Sequence, residues 1–415
     1  MKKISVQDLS TICRNNKGLG HYEQFYAQGW NLAHHDVSLP AAVIYADNIA
    51  QNIQWMADFA AHHQVKLAPH GKTTMIPALF KQQLAAGAYA ITVATPHQAR
   101  AAITAGAKRI LMANQLVGKA NMRAIANLLK SHEVEFYCLV DSAANVSALN
   151  DFFANQQLKL KVLVELGVPQ GRCGLIDAAE CDTLIAAVQA APALQLAGIE
   201  LYEGVLNDLE AIKTLLDNAV QYCLRLHSAG AFGSDTVLLT AGGSAYYDLV
   251  CEAFNRVPLP GAIVPLIRPG CYISHDMGIY QQAQNAVLAR SQMACSLQGE
   301  LVSALEIWAY VQSVPEPGRA IIGMGKRDVA FDAGMPKPVR QVTQSGEIVA
   351  AQPDWQVERM MDQHAMMRFA PAANVQVGDI IAFATSHPCL TFDKWRYLNV
   401  VNAEFEVVDI YATYF

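Results

Sequence analysis

No stretch of about 18 uninterrupted apolar residues occurs in the 415-residue chain, so no membrane-spanning helix is expected. Charge is scarce as well. Asp, Glu, Lys and Arg together make up 16% of the residues and no Lys/Arg run exceeds two, which argues against a nucleic acid or an anionic membrane as partner. The nine cysteines include no CxxC pair; an odd, scattered set fits free thiols in a reducing cytoplasm better than a disulfide framework. Met1-Lys2-Lys3-Ile4-Ser5-Val6-Gln7-Asp8 has the lysines of a signal peptide without its apolar core, so a soluble cytoplasmic protein is expected. What is abundant is apolar surface: 53% hydrophobic residues and a net charge of −6 suit a compact enzyme acting on a small molecule.

Residues 1–39 are polar and irregular, read as a lead-in that packs on a second domain. Ala41 to Tyr45 is a short apolar strand, after which Asp47 is expected to cap a helix with Ile49, Ile53, Met56, Ala57 and Ala60 at helical spacing. From Val65 onward, strand-like apolar runs end near Pro69, Ala94, Ala113, Val140, Leu166, Leu201, Ala241 and Ile267, the first seven each followed by an Ala- or Leu-rich helical stretch. Such alternation predicts an α/β fold, a closed (β/α)₈ TIM-like barrel over 40–280. After about Tyr280 the runs, such as Leu305 to Val311 and Asp379 to Ala384, are separated by Pro/Gly turns, so 281–415 is expected to form a C-terminal β-rich domain.

The chemistry is sought at the carboxyl ends of the barrel strands. Lys72, in Val65-Lys66-Leu67-Ala68-Pro69-His70-Gly71-Lys72-Thr73-Thr74, follows the first strand. A lysine held there partly out of water loses proton affinity and can attack an aldehyde to form a Schiff base; the plain alternative is a loop lysine. Thr240-Ala241-Gly242-Gly243-Ser244 follows the seventh strand, where paired glycines and a hydroxyl can hold a phosphate, although a simple glycine turn reads the same way. A lysine nucleophile opposite a phosphate cradle suits pyridoxal phosphate. Arg172 and Tyr202, after strands five and six, either contact that cofactor or pack on the rim. In Ser386-His387-Pro388-Cys389, residues two apart on an extended chain share a face, so His387 and Cys389 could ligate zinc or form a buried structural pair.

The segment Pro69-His70-Gly71-Lys72-Thr73 resembles the cofactor-lysine motif of the D-threonine aldolase and D-serine dehydratase family, fold-type III pyridoxal phosphate enzymes related to alanine racemase. The resemblance extends through Arg172-Cys173-Gly174, Tyr202-Glu203-Gly204, Gly242-Gly243-Ser244, Arg268-Pro269-Gly270-Cys271-Tyr272 and Pro317-Gly318-Arg319-Ala320 to His387-Pro388-Cys389, about residues 40 to 400. It implies a homodimer, Lys72 as Schiff-base lysine and base, and cofactor contacts from His70, Arg172, Tyr202, Thr240, Gly242, Gly243, Ser244 and Tyr272. It also implies a divalent metal, zinc or manganese, on His387 and Cys389. The aldolase branch resembles this chain less at the second ligand, where it uses Asp and the dehydratase branch uses Cys. Ala68 and Thr74 depart from the family's Arg before the Pro and His after the Thr.

These parts predict a metal-assisted dehydratase that converts a D-3-hydroxyamino acid, such as D-serine or D-threonine, to a 2-keto acid and ammonia. With the same residues the alternative is retro-aldol cleavage to glycine and an aldehyde. A racemase would need a second base and gives no use to a metal. A pyridoxal phosphate-binding protein of cofactor homeostasis would lack the β domain.

Overall fold

The structure, a computed structural model, describes residues 17–19 and 29–415. The N-terminal segment considered above as a leader, and much of the lead-in, lie outside the described residues. Among the described residues no helix is long and apolar enough to cross a membrane.

The first strand, β1 (Ala41–Tyr45), does not open the barrel. It lies antiparallel to β10 (Leu305–Glu316) and parallel to β17 (Tyr397–Val401), in the middle of the second sheet. The described chain therefore runs from the second domain through the barrel and back. The helix Ala46–His62 connects the two, burying Ile49, Ile53, Met56 and Ala60 as its spacing predicts. Asp47 sits inside its first turn, and Tyr45 takes the cap position without a side-chain bond to the helix.

Eight parallel strands follow: β2 (Lys66–Leu67), β3 (Ile91–Val93), β4 (Arg109–Gln115), β5 (Glu135–Val140), β6 (Leu160–Leu166), β7 (Leu194–Leu201), β8 (Val237–Ala241) and β9 (Ile263–Ile267). They pair in the order β2-β9-β8-β7-β6-β5-β4-β3. The ends meet through the Tyr89 amide donating to the Leu67 carbonyl at 2.8 Å and the Thr92 amide donating to Pro69 at 2.9 Å. Alternating side chains explain the two apolar layers. Leu111, Tyr137, Leu139, Leu163, Leu238 and Leu266 fill the interior with Ala68, Ala90 and Ala197, while the opposite faces pack on the helices. Gly198 is required where β7 bulges against β6: a Cβ there would lie 2.0 Å from the Leu238 carbonyl oxygen.

The helical texture runs past residue 280, through Ile279–Arg290 and Gln292–Ser296. Only Gln284 and Val287 of the longer helix are buried, so its sequence carries little apolar periodicity. Beyond it, β10 and β11 (Arg319–Ile322), β12 (Lys337–Val342), β13 (Ile348–Ala350), β14 (Gln356–Met360), β15 (Ala365–Arg368), β16 (Ile380–Ala384), β17 and β18 (Val407–Ala412) form the expected β-rich domain with β1. The described part of the lead-in packs on this sheet: Trp30, Leu32 and Val37 join Trp308, Val342 and Ile380 in one buried cluster.

Candidate active site at the barrel mouth

Three loops at the carboxyl ends of β2, β8 and β9 are tied together, and the second domain closes over them. Lys72 lies in a 3₁₀ turn, Gly71–Thr73, whose glycine is needed because a Cβ would meet the Phe80 ring at 2.6 Å. The turn after β9 packs on its back, close enough that a Cβ on Gly270 would lie 2.7 Å from the His70 carbonyl oxygen. Ser244 Oγ accepts the Gly270 and Cys271 amides at 3.2 and 3.1 Å, joining the loop after β8 to the same unit. From the second domain, the Thr385 carbonyl accepts the Met277 amide at 3.2 Å, which brings the segment carrying His387 and Cys389 over the mouth.

The cavity at the mouth measures about 190 Å³, room for a small molecule rather than a single water. Its wall includes His70, Lys72, Arg172, Tyr202, the Gly242–Ser244 turn and Cys389, so residues far apart in sequence do converge. Lys72 is exposed rather than desolvated as expected; what distinguishes it is its surroundings. Arg172 lies over the Tyr202 ring, 4.8 Å from its centroid, and Arg268 also lines the wall. Burial first, then the charges of Lys72, Arg268 and Arg172, hold the His70 imidazole well below its ordinary pKa, and its Nδ1 is buried without a partner. The mouth is thus a cationic pocket suited to an anion.

Two expected contacts fall elsewhere. Tyr272 is buried behind the wall, where its hydroxyl accepts from Gln83 at 2.9 Å, and Thr240 lies beneath the cavity, accepting from Arg268 at 2.7 Å. The Gly242 and Gly243 amides do cradle an anion, but it is the carboxylate of buried Glu203, at 3.0 and 2.9 Å. Glu203 therefore fixes the turn, and Ser244 keeps its hydroxyl proton for another acceptor. Arg268 is bonded to Glu200, Thr240 and the Leu201 carbonyl, 5% exposed. Burial pushes the Glu200 carboxyl up, against the lowering effect of Arg268. These charged partners come from separate strands or the loops that follow them, so spacing alone gives no sign of their pairing.

His387 and Cys389 are brought together, though not on an extended chain: Pro388 is helical and Cys389 starts a short helix, Cys389–Phe392. The imidazole bonds Cys389, and its Nδ1 is held 2.7 Å from Asp332 Oδ2. Hydrogen bonding to Cys389, then to Asp332, pushes His387 up to about 9 against the effect of burial. Cys389 Sγ lies 3.4 Å from Cys271 Sγ and 3.5 Å from Thr73 Oγ1. Hydrogen bonds from Cys271, His387 and Thr73 hold its thiol well below the ordinary value although burial opposes them, and burial pushes Cys271 up. An anchored imidazole next to a thiolate-prone sulfur is a donor pair for a soft divalent metal. A separate cluster, Asp141, Glu165 and Cys173, has its ligand atoms within 4.8 Å of one another at the tips of β5 and β6. There the Gln115 amide already bonds both carboxylates.

A parallel barrel with a lysine and cationic wall at its mouth, closed by an antiparallel domain bearing a His/Cys pair, has the donors to hold an anionic cofactor and a divalent metal. Two segments of the chain match known protein families. Residues 44–249 match the family described as "Alanine racemase, N-terminal domain", and residues 304–401 match "Putative serine dehydratase domain". The chain is similar to a D-threonine aldolase of Arthrobacter sp, 25% identical over 88% of this chain and 89% of that one. It is also similar to a D-threo-3-hydroxyaspartate dehydratase of Delftia sp. (strain HT23), 25% identical over 71% and 73% of the two chains. The crystal structure of D-threonine aldolase from Filomicrobium marinum shares the fold, with TM-score 0.78 at 23% identity over 93% of this chain and 97% of that one. Over these two segments the chain carries alanine racemase-like and serine dehydratase-like domains, and it is similar to fold-type III pyridoxal phosphate enzymes, among them lyases named for D-hydroxyamino acids.

Proposed function

We propose that the protein is a metal-assisted dehydratase of a D-3-hydroxyamino acid, releasing a 2-keto acid and ammonia. The observation that carries this reading is the His387/Cys389 pair held over the Lys72 cavity, with Cys389 a sulfur donor. The residues fit both groups. The cationic wall, the Ser244 hydroxyl and the tight Gly270 approach suit a phosphate-bearing aldehyde, and the Asp332-anchored imidazole beside Cys389 suits a divalent ion. Solved relatives include a D-threo-3-hydroxyaspartate dehydratase in a metal-free form.

Pyridoxal phosphate, when bound, supplies an aldehyde and a ring that spreads negative charge from Cα, and a divalent metal supplies a Lewis acid for a Cβ oxygen. Lys72 Nζ would hold the cofactor aldehyde and afterwards accept the Cα proton, the exposed side chain being free to swing. Ser244 would donate its hydroxyl proton to the phosphate, and Arg172 and Arg268 would offset its charge. His387 and Cys389 would hold the metal, with Asp332 anchoring the imidazole through Nδ1. Closure of the second domain over the mouth would limit water around the reacting atoms.

Retro-aldol cleavage is the second reading, favoured by the aldolase names of relatives such as the Arthrobacter enzyme. D-serine, D-threonine and D-threo-3-hydroxyaspartate are supplied to purified enzyme before and after chelation. Keto acid and ammonia, lost on chelation, are expected. Glycine plus an aldehyde would replace the dehydratase reading with the aldolase one, and full activity after complete metal removal would sink the metal role.

A further inference from the structure

Buried cysteines usually behave as small apolar side chains. Cys138, Cys223 and Cys251 do so here, packed in the main hydrophobic core. Cys271 is equally buried, 4% exposed, yet its sulfur faces polar atoms at the cavity mouth. Cys389 Sγ is 3.4 Å away, Thr73 Oγ1 is 3.7 Å away, and the Tyr280 hydroxyl bonds it. Its backbone is fixed independently of the second domain, since Cys271 begins the 3₁₀ turn after β9 and donates its amide to Ser244. The sulfur is thus presented from the barrel to the same spot at which Cys389 is presented from above.

Resting on the metal reading above, we propose that Cys271 is a third ligand, so that the ion is held by two sulfurs and one imidazole and ties the barrel to the second domain. Two thiolates each about 2.3 Å from a tetrahedral zinc lie roughly 3.8 Å apart. The observed 3.4 Å therefore needs to open by only a few tenths of an ångström. The imidazole bonds Cys389 and not Cys271, so closing the site around one ion also takes a rotation of the His387 side chain. Three protein donors leave one position of a four-coordinate zinc for the substrate hydroxyl, the arrangement of catalytic rather than structural zinc. Two soft sulfurs also bias the site toward zinc and against manganese or magnesium.

The test uses the full-length protein, stripped of metal and titrated with cobalt(II), whose bonds to thiolate give a near-ultraviolet charge-transfer band that scales with the number of sulfur ligands. In Cys271→Ser the band is expected to fall to about half of that of the parent protein. Zinc affinity, measured against a chromophoric chelator, is expected to drop about tenfold or more, the scale seen when a metal's supporting groups are lost. Cys271→Asn, which fills the space without a thiolate, should give the same spectrum; melting temperatures of all variants confirm that they are folded. A band unchanged in Cys271→Ser but lowered in Cys389→Ser would overturn the third ligand while leaving the His387/Cys389 reading intact. The absence of any thiolate band in the parent protein would overturn both.

Discussion

Arg268→Met removes the guanidinium from a site with almost no water. Arg268 and Glu200 side chains are 4% and 1% exposed, and Arg268 also donates to Thr240 Oγ1 and the Leu201 carbonyl. Glu200 Oε2 already lacks a partner, so without Arg268 the whole carboxylate is stranded. Removing one member of a buried ion pair costs about 3–5 kcal/mol. The stranded carboxyl can avoid part of that by taking a proton. Its native pKa is already raised by burial and rises further once the arginine is gone. A raised folded-state pKa gives stability that is present below the unfolded value of about 4.3 and lost as pH rises through the folded value. Arg268→Met should therefore be nearer to the parent protein in urea melts at pH 5 than at pH 8. Adding Glu200→Gln removes the stranded charge, so the double variant should recover at least half of the loss at pH 8 and show little pH dependence. Catalytic turnover should not return with it, because Arg268 lines the cavity. A double variant no more stable than Arg268→Met, or a loss equal at both pH values, would refute this account.

Ser244→Ala should weaken cofactor binding about tenfold, one hydrogen bond to a charged group being worth about 1.5 kcal/mol at the low end. Titration of the cofactor absorbance measures it, and unaltered affinity would remove Ser244 from the phosphate contacts. His275 is 1% exposed with Nε2 unpartnered, and burial lowers it to about 4. The unfolded chain takes up a proton near pH 6.5 while the native one does not, so stability drains as pH falls from about 6.5 to 4, by roughly 3 kcal/mol in all. His275→Asn, which tolerates the backbone φ of 46°, should flatten the acid side of the stability curve relative to the parent. The same acid slope in both proteins would show that His275 is not its source.

The eight barrel strands were legible because a strand buried on both faces reads as a continuous apolar run, and each run ends near where its strand ends. That same property hid the placement of β1. All five of its residues are buried, and nothing in Ala41-Ala42-Val43-Ile44-Tyr45 distinguishes a barrel strand from the centre of the neighbouring sheet. Lys72 stood out through the turn chemistry around it, and His387 with Cys389 through their adjacency. The cavity's other charged groups did not. Glu203 comes from the loop after β7 to hold amides after β8, and Arg268, after β9, reaches Glu200 on β7, pairings that only the closed barrel creates. Cys271 belongs to the same kind. Its sulfur lies 118 residues from that of Cys389 along the chain and 3.4 Å from it in space. Neighbouring residues reveal a donor pair, but whether that pair is complete depends on what the other domain brings to it. A lyase that needs a Lewis acid beside Cβ would gain from ligands split this way, since the metal site would then be complete only with the second domain seated on the barrel. Metal occupancy and closure of the mouth would become one event, tying the Lewis acid to the exclusion of water.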